Sequence, residues 1–597
     1  MHLRSARTSV AVAALLLLSA CGKDVPDSGQ SLLAYVPADT PYVYASLEPF
    51  DADLRKTWLT SMGGTQLFDV YKSMITEMGA NLEREDGAEM IARVSAMMDL
   101  LRPISDPNER TPLGMAADAE VALYGYGLLP VMRVRLADAA AFEKVLSEME
   151  KTSKSPMTTE EIGGYTVRRQ QVDEIVFYVA AIEDQAVFAL IPAAVDTTMR
   201  EQVLGLSLPE QSLADSGSLQ AAAKRYGFAP EAGVGIIDTV RLVEALADPS
   251  SAGDQALMAL GSEADGEATT LDPVCLAEIK AAAALVPRMV SGSTSIDAQG
   301  MDSLSVIELP SEMAQAWSKV TAAQPGTRAP KDAWAWFGFG IDPVKMAAEL
   351  GKMADKVAAA PYQCEHLSDL NTSMAEMKQG LNPMAVGMAA NFTGLYVSVD
   401  KLEMDDSQMP ISGEGVVALS SPAPAAVWAL VKGQMDSLSA IDIGVDKGIV
   451  PVPDEMMPMP LPAKALMTDK SLALSVGPVD DERLTAIAEV DDSTPHSVVR
   501  YGISGEMYSE VYGNLMQEMT EKAAAQARIA EADALATGAE DAEELSKQRE
   551  MAEEQARNAE HVGNLMRTFG AAIDYIDIRV LLTDNGIEMY QEVRLND

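Results

Sequence analysis

The stretch DYIDIRVLLTDNGIEMYQEVRL, residues 574–595, reads as two β-strands joined by a tight turn. Asp584-Asn585-Gly586 sits at its centre, and Asn-Gly tolerates the positive φ that short hairpin turns demand. A second stretch, SGSTSIDAQGMDSLSVIEL (291–309), has the same plan of strand, Asp- and Gly-containing turn, and strand. Their upstream partners also correspond in character. YVPADTPYVYASLEPFDADL (from Tyr35) and RAPKDAWAWFGFGIDPVKMA (from Arg328) each carry Pro-x-Asp, an aromatic-rich strand, and then Glu48-Pro49 or Asp342-Pro343 at a helix start. Openings and closings are both separated by about 290 residues, the mark of an internal duplication.

Between these bookends, strands alternate with helices. EVALYGYGLLPVMRVRL (120–136) is strand, followed by Asp138 as the N-cap of a helix from Ala139 to Met149. YTVRRQQVDEIVFYVAAIEDQAVFALI (165–191), GLYVSVDKLE (394–403), GEGVVALS (413–420) and SLALSVG (471–477) alternate as strands do. Asp480 starts a further helix. Met507, Val511, Leu515 and Met519, then Ala559, Val562, Met566 and Phe569, recur at helical spacing. They predict two long helices over 505–536 and 540–570, some ~45 Å long if straight. The expected class is α+β: two tandem repeats of antiparallel sheet with helices on one face, and a long helical hairpin inserted in the second. The expected boundaries are 33–310 and 332–597 for the repeats, 311–331 for a linker, and 505–570 for the arm. That arm is expected either to meet an envelope protein partner or to pack back on its own sheet.

The first residues have a different composition. Arg4 and Arg7 precede an apolar run from Val10 to Leu18, then Ser19, Ala20 and Cys21. The run is too short to cross ~30 Å of hydrocarbon and has the layout of an export signal over 1–20. Leu18-Ser19-Ala20-Cys21 resembles the lipobox of bacterial lipoproteins at all four positions. That resemblance implies cleavage before Cys21 and its acylation, with residues 21–32 as a polar tether. Gly22, rather than Asp, follows the cysteine, and by the same resemblance this favours the periplasmic face of the outer membrane. The body, opening with PADTPYVY, resembles an uncharacterised family of bacterial envelope proteins, which implies no particular activity.

Across 597 residues, 89 acidic side chains outweigh 45 basic ones, for a net charge of −44. Such a chain repels phosphate backbones and anionic headgroups, so nucleic acid is excluded as a partner and membrane attachment falls to the lipid. Two further cysteines, Cys275 and Cys364, are expected as a disulfide, with two buried thiols as the alternative.

Residue patterns for chemistry are sparse. His2, His366, His496 and His561 show no metal-ligand spacing, and His366 beside Cys364, Glu365 and Asp369 reads as a helix-surface histidine. Gly125 with Gly127, and Gly338 with Gly340, lie inside strands, where bulges or close packing account for them. Ser398-x-x-Lys401 falls in a strand, where serine and lysine do not share a helical face. The 35 methionines include Met456, Met457, Met459 and Met467 in a Pro-rich segment that reads as packing, an apolar lip or a soft copper site. No cofactor, metal or catalytic set is expected. The expected function is non-catalytic binding or scaffolding in the envelope. A carrier or chaperone of hydrophobic cargo, lipid or unfolded outer-membrane protein, is the alternative, and an envelope enzyme the third class.

Overall fold

Apolar residues at every second position build nineteen strands, and antiparallel pairing joins them into one sheet, while helices take up a larger share of the chain. The computed structural model describes residues 31–596 except 62, 67, 70–71, 73–97, 99–101, 107–111, 117, 153–156, 173, 264–270, 405–409, 435–437, 439–440, 454–460, 493–495, 511–515 and 538–541. Cys21, the signal, most of the tether, and Met456, Met457 and Met459 lie outside the described residues.

The strands are β1 (Tyr42–Ala45), β2 (Val121–Tyr126), β3 (Leu129–Arg135), β4 (Thr158–Ile162), β5 (Tyr165–Val172), β6 (Ile175–Ile182), β7 (Gln185–Pro192), β8 (Val234–Asp238), β9 (Arg288–Ile296) and β10 (Gly300–Glu308). They continue with β11 (Ala335–Gly340), β12 (Gly394–Met404), β13 (Pro410–Ser420), β14 (Val450–Val452), β15 (Ala463–Met467), β16 (Ser471–Val476), β17 (Ser497–Ser504), β18 (Ile573–Thr583) and β19 (Gly586–Leu595). Helices that matter below are α1 (Ala52–Ser61), α2 (Ala139–Thr152), α3 (Thr197–Leu204), α4 (Ser218–Tyr226), α5 (Pro273–Ala283), α6 (Pro343–Ala359), α7 (Ser368–Gly380), α8 (Pro383–Ala389), α9 (Asp481–Ala488), α10 (Met516–Thr537) and α11 (Ala542–Ala572).

The pairings run β4-β5-β6-β7-β3-β2-β1-β8-β9-β10-β19-β18-β17-β11-β12-β13-β16-β15-β14, every neighbour antiparallel. This corrects the expectation of two tandem repeats with an inserted helical hairpin. β10 and β19, which would be free edges of two separate sheets, pair over nine positions from Gly300↔Arg594 to Glu308↔Gly586. An exposed edge leaves backbone donors and acceptors unpaired, and edge-to-edge pairing satisfies them, so one 19-stranded sheet results. Residues 505–570 are likewise not a separate arm. They form the connection between β17 and β18, and α11 runs directly into β18. The backbones at Gly505 and Gly570 touch, and Leu565 and Thr568 lie against Gly63 and Gln66 just past α1, so the connection is docked at its base.

Over β2, β3, β6 and β7 both sheet faces are covered. Tyr124, Val131, Val187 and Tyr178 pack on one face with Val203 and Leu204 of α3 and Leu219 of α4. On the other, Leu123, Met132, Phe188 and Val179 pack with Phe142 and Leu146 of α2 and with Phe68 and Met98. In the second half, Tyr396, Val416, Ala418 and Ala473 meet Leu484, Ile487 and Ala488 of α9 on one face, and on the other a small cluster of Ile441, Val452, Ala463 and Ala465 with Trp428 covers only the β14–β15 end.

Gly586, at φ +137°, closes the β18–β19 turn where a side chain would overlap the Ile307 carbonyl. Gly586→Val is expected to cost about 2 kcal/mol or more through clash and strain, read as a lowered midpoint in thermal melting.

Candidate functional site: an open apolar sheet face

Paired residues in an antiparallel ladder share a face, so the register sorts every side chain between β16 and β10. One row crosses seven strands as Leu474, Val417, Val397, Phe337, Tyr501, Ile578 and Gln591. The next reads Leu472, Leu419, Leu395, Phe339, Val499, Val580 and Met589. Met289 and Ile237 extend the same face through Ile307 and Ile587. Phe337, Val417, Leu474, Tyr501, Met589, Met289 and Ile237 are between 38 % and 45 % exposed. Neighbouring strands are ~4.8 Å apart and same-face residues ~6.8 Å apart, so this face extends some 30 Å across the strands. Contiguous apolar surface on that scale is uncommon on monomeric soluble proteins.

The opposite, covered face carries the polar residues. Ser398, Ser420, Ser471 and Ser475 are buried there, as are Arg500 and Asp577. In β16, Ser471, Ala473 and Ser475 point inward while Leu472 and Leu474 point outward. The small inward side chains let α9 approach closely, and the Ser471 hydroxyl donates to the Ala488 carbonyl at 2.6 Å.

At the sheet centre Arg500 and Asp577 anchor a polar network. Asp577 on β18 accepts from the Arg500 Nε at 2.9 Å and from the Trp336 indole at 2.9 Å. Trp336 is on β11, two strands from β18, and reaches across because the residue between is Gly502. Any side chain there would overlap the indole. Arg500 also donates to the Gly326 carbonyl at 3.1 Å. Lys331 pairs with Glu592 at 2.5 Å and lies 3.6 Å from Asp577, while Tyr575 donates to Glu592 at 2.6 Å. Arg594 pairs with Asp302 at 2.8 Å, and Arg288 with Glu308 at 2.8 Å. Burial alone would raise the pKa of Glu592, Asp302 and Glu308. Hydrogen bonds and charge from Lys331 and Tyr575, from Arg594 and Ser295, and from Arg288 and Tyr226, respectively, outweigh it and hold all three below their ordinary values.

The residues singled out from sequence are dispersed. Cys275 of α5 and Cys364, between α6 and α7, are bonded to each other. His366 is exposed in a short turn before α7, Ser398 and Lys401 lie along β12, and Met467 is buried in β15. Among the described residues no group of three or more His, Cys, Asp or Glu could hold a metal ion. No helix among them is long and apolar enough to cross a membrane. Sequence reasoning missed the apolar face and the Asp577 network. The available signals were Asp577 inside an otherwise apolar strand, and Leu, Phe and Val alternating with Ser, Gly and Ala. No family model, curated protein or solved structure matches this chain.

Because the folded-state pKa values of Glu592, Asp302 and Glu308 are depressed, their stabilisation is complete above the unfolded values and is lost as pH falls through the folded ones. Stability is expected to fall below about pH 4.5, and Glu592→Gln to flatten part of that fall in chemical denaturation between about pH 5 and 3.

Proposed function

We propose that this chain is a non-catalytic binding protein of the bacterial envelope, held at the periplasmic face of the outer membrane by lipid on Cys21, with the open sheet face as its binding surface. The observation that carries this reading is the run of apolar side chains facing out from β16, β13, β12, β11, β17, β18 and β19 while charged and hydroxyl groups face in. The face is broad and open on one side. An acyl chain laid on it would keep half its surface in water. An amphipathic polypeptide segment would bury its one apolar stripe and leave its polar side solvated. A net charge of −44 attracts partners with Lys and Arg beside that stripe and repels anionic lipids. The occupant proposed is therefore a polypeptide with an apolar stripe and basic flanks.

A groove of about 570 Å³ between α6 and α7, lined by Ala354, Val357, Ala358 and Ala375, favours a second reading as a carrier of small apolar cargo.

A synthetic helix of about five turns, leucine on one face and lysine on the other, is the direct probe. It is expected to bind wild-type protein. Phe337→Thr with Val417→Thr is expected to weaken binding at least roughly tenfold with little change in thermal stability. Equal binding by the variant removes the sheet face from the account, and Nile red filling the α6–α7 groove without peptide binding favours the carrier. Cys21→Ser is expected to move the protein from the membrane to the soluble fraction; retention there after a high-salt wash contradicts the anchor.

A further inference from the structure

The open face has a second apolar surface next to it in the chain. Helices α6, α7 and α8 connect β11 to the neighbouring β12, yet α7 and α8 contain no buried residue and α6 buries only Ala354. Met384 and Met388 of α8 are 75 % and 66 % exposed, and Val344, Leu370 and Phe392 are exposed as well. A helical layer stabilised by packing normally hides its apolar stripe, and this one shows it to solvent beside a sheet face that does the same.

The attachment of the layer is that of a hinged element. Its two feet meet where the Ile341 amide donates to the Thr393 carbonyl at 2.8 Å, and beside them the Asp342 amide donates to the Val320 carbonyl at 2.7 Å. Within the layer, Lys378 of α7 pairs with Asp355 of α6, and the Asn371 side chain bonds the backbone of Tyr362 in both directions. Its far side is fastened to the first half of the chain. Cys364 is bonded to Cys275, and Glu278 of α5 accepts from the amides of Gln363 and Cys364, each at 2.9 Å. α6 has 17 residues and is therefore about 25 Å long, within the length of the eleven-residue β12 strand at about 37 Å.

We infer that α6–α8 form a flap that closes over the open face of β11, β12 and β17, and that the Cys275–Cys364 bond holds this flap off the face. The inference rests on the reading of that face as the binding surface. It makes access to the face a two-state property: the stapled flap leaves the surface open for a partner, and the released flap lays its methionines on Phe337 and Tyr501.

The test uses the full chain with p-benzoylphenylalanine at position 337, with and without Cys275→Ser and Cys364→Ser. Photocrosslinks from position 337 to residues 368–392 are expected to rise roughly tenfold in the serine variant, and binding of the leucine–lysine helix to fall by a similar factor. Adding Met384→Ser and Met388→Ser to the serine variant is expected to restore peptide binding, which a misfolded protein would not do. Equal crosslinking with and without the disulfide overturns the flap, as does peptide binding that the methionine changes fail to restore. Crosslinks that shift as expected in a protein whose disulfide-bonded form binds no peptide support the flap and overturn the binding-surface reading instead.

Discussion

The carboxylate of Asp577, buried in the middle of β18, fixes the geometry of the central sheet. An unpaired charge in that position would cost several kcal/mol, so the strands around it must present their cations and donors to it. Arg500 from β17 and the indole of Trp336 from β11 do so, across a gap that only Gly502 leaves open. A shift of register by one residue would turn Asp577 outward and bring Ile576 or Ile578 into a site lined by Arg500 and Lys331. The network therefore selects one register over its neighbours, and that register also carries Phe337, Tyr501, Val417 and Leu474 to the outside.

The result is a second half whose covered face combines an apolar core under α9 with buried serines and the Arg500–Asp577 pair, while its other face turns further aromatic and aliphatic side chains to water. Hydrophobic burial on the outward face is incomplete in this chain. In the proposed binding role, the acidic chain as a whole would set a preference among partners through long-range charge, and the apolar rows would supply the contact. Over β2, β3, β6 and β7 there is no such opening, because α2 with Phe68 and Met98 occupies the same side of the sheet there.

Local devices in this fold were legible in the sequence. Asp584-Asn585 forms the β18–β19 turn with Gly586 opening β19, Asp138 accepts from the Ala141 amide, and Asp480 accepts from the Arg483 amide, each a contact among residues within a few positions of one another. The Cys275–Cys364 pair could be named because few thiols compete for it. The pairing of β10 with β19 could not be read, since an alternating strand has the same pattern at a free edge and inside a sheet. Nor could the orientation of the strands. SLALSVG alternates with period two, and the ordinary rule places its leucines inside; here α9 requires small residues beneath it and the leucines face out. The helical periodicity around 505–570 likewise says nothing of the glycine contacts that dock this connection to β18 and to the residues after α1.

Hydroxyl-radical footprinting with mass spectrometry tests this assignment of covered and open faces most directly, because it reads side-chain exposure residue by residue in the folded protein. Phe337, Tyr501 and Met589 are predicted to oxidise rapidly while Trp336 and Tyr396, their neighbours one position away or on adjoining strands, stay protected until the protein unfolds. Protection of the first group together with oxidation of Trp336 and Tyr396 would mean that the sheet presents its other face to water, and would contradict the account.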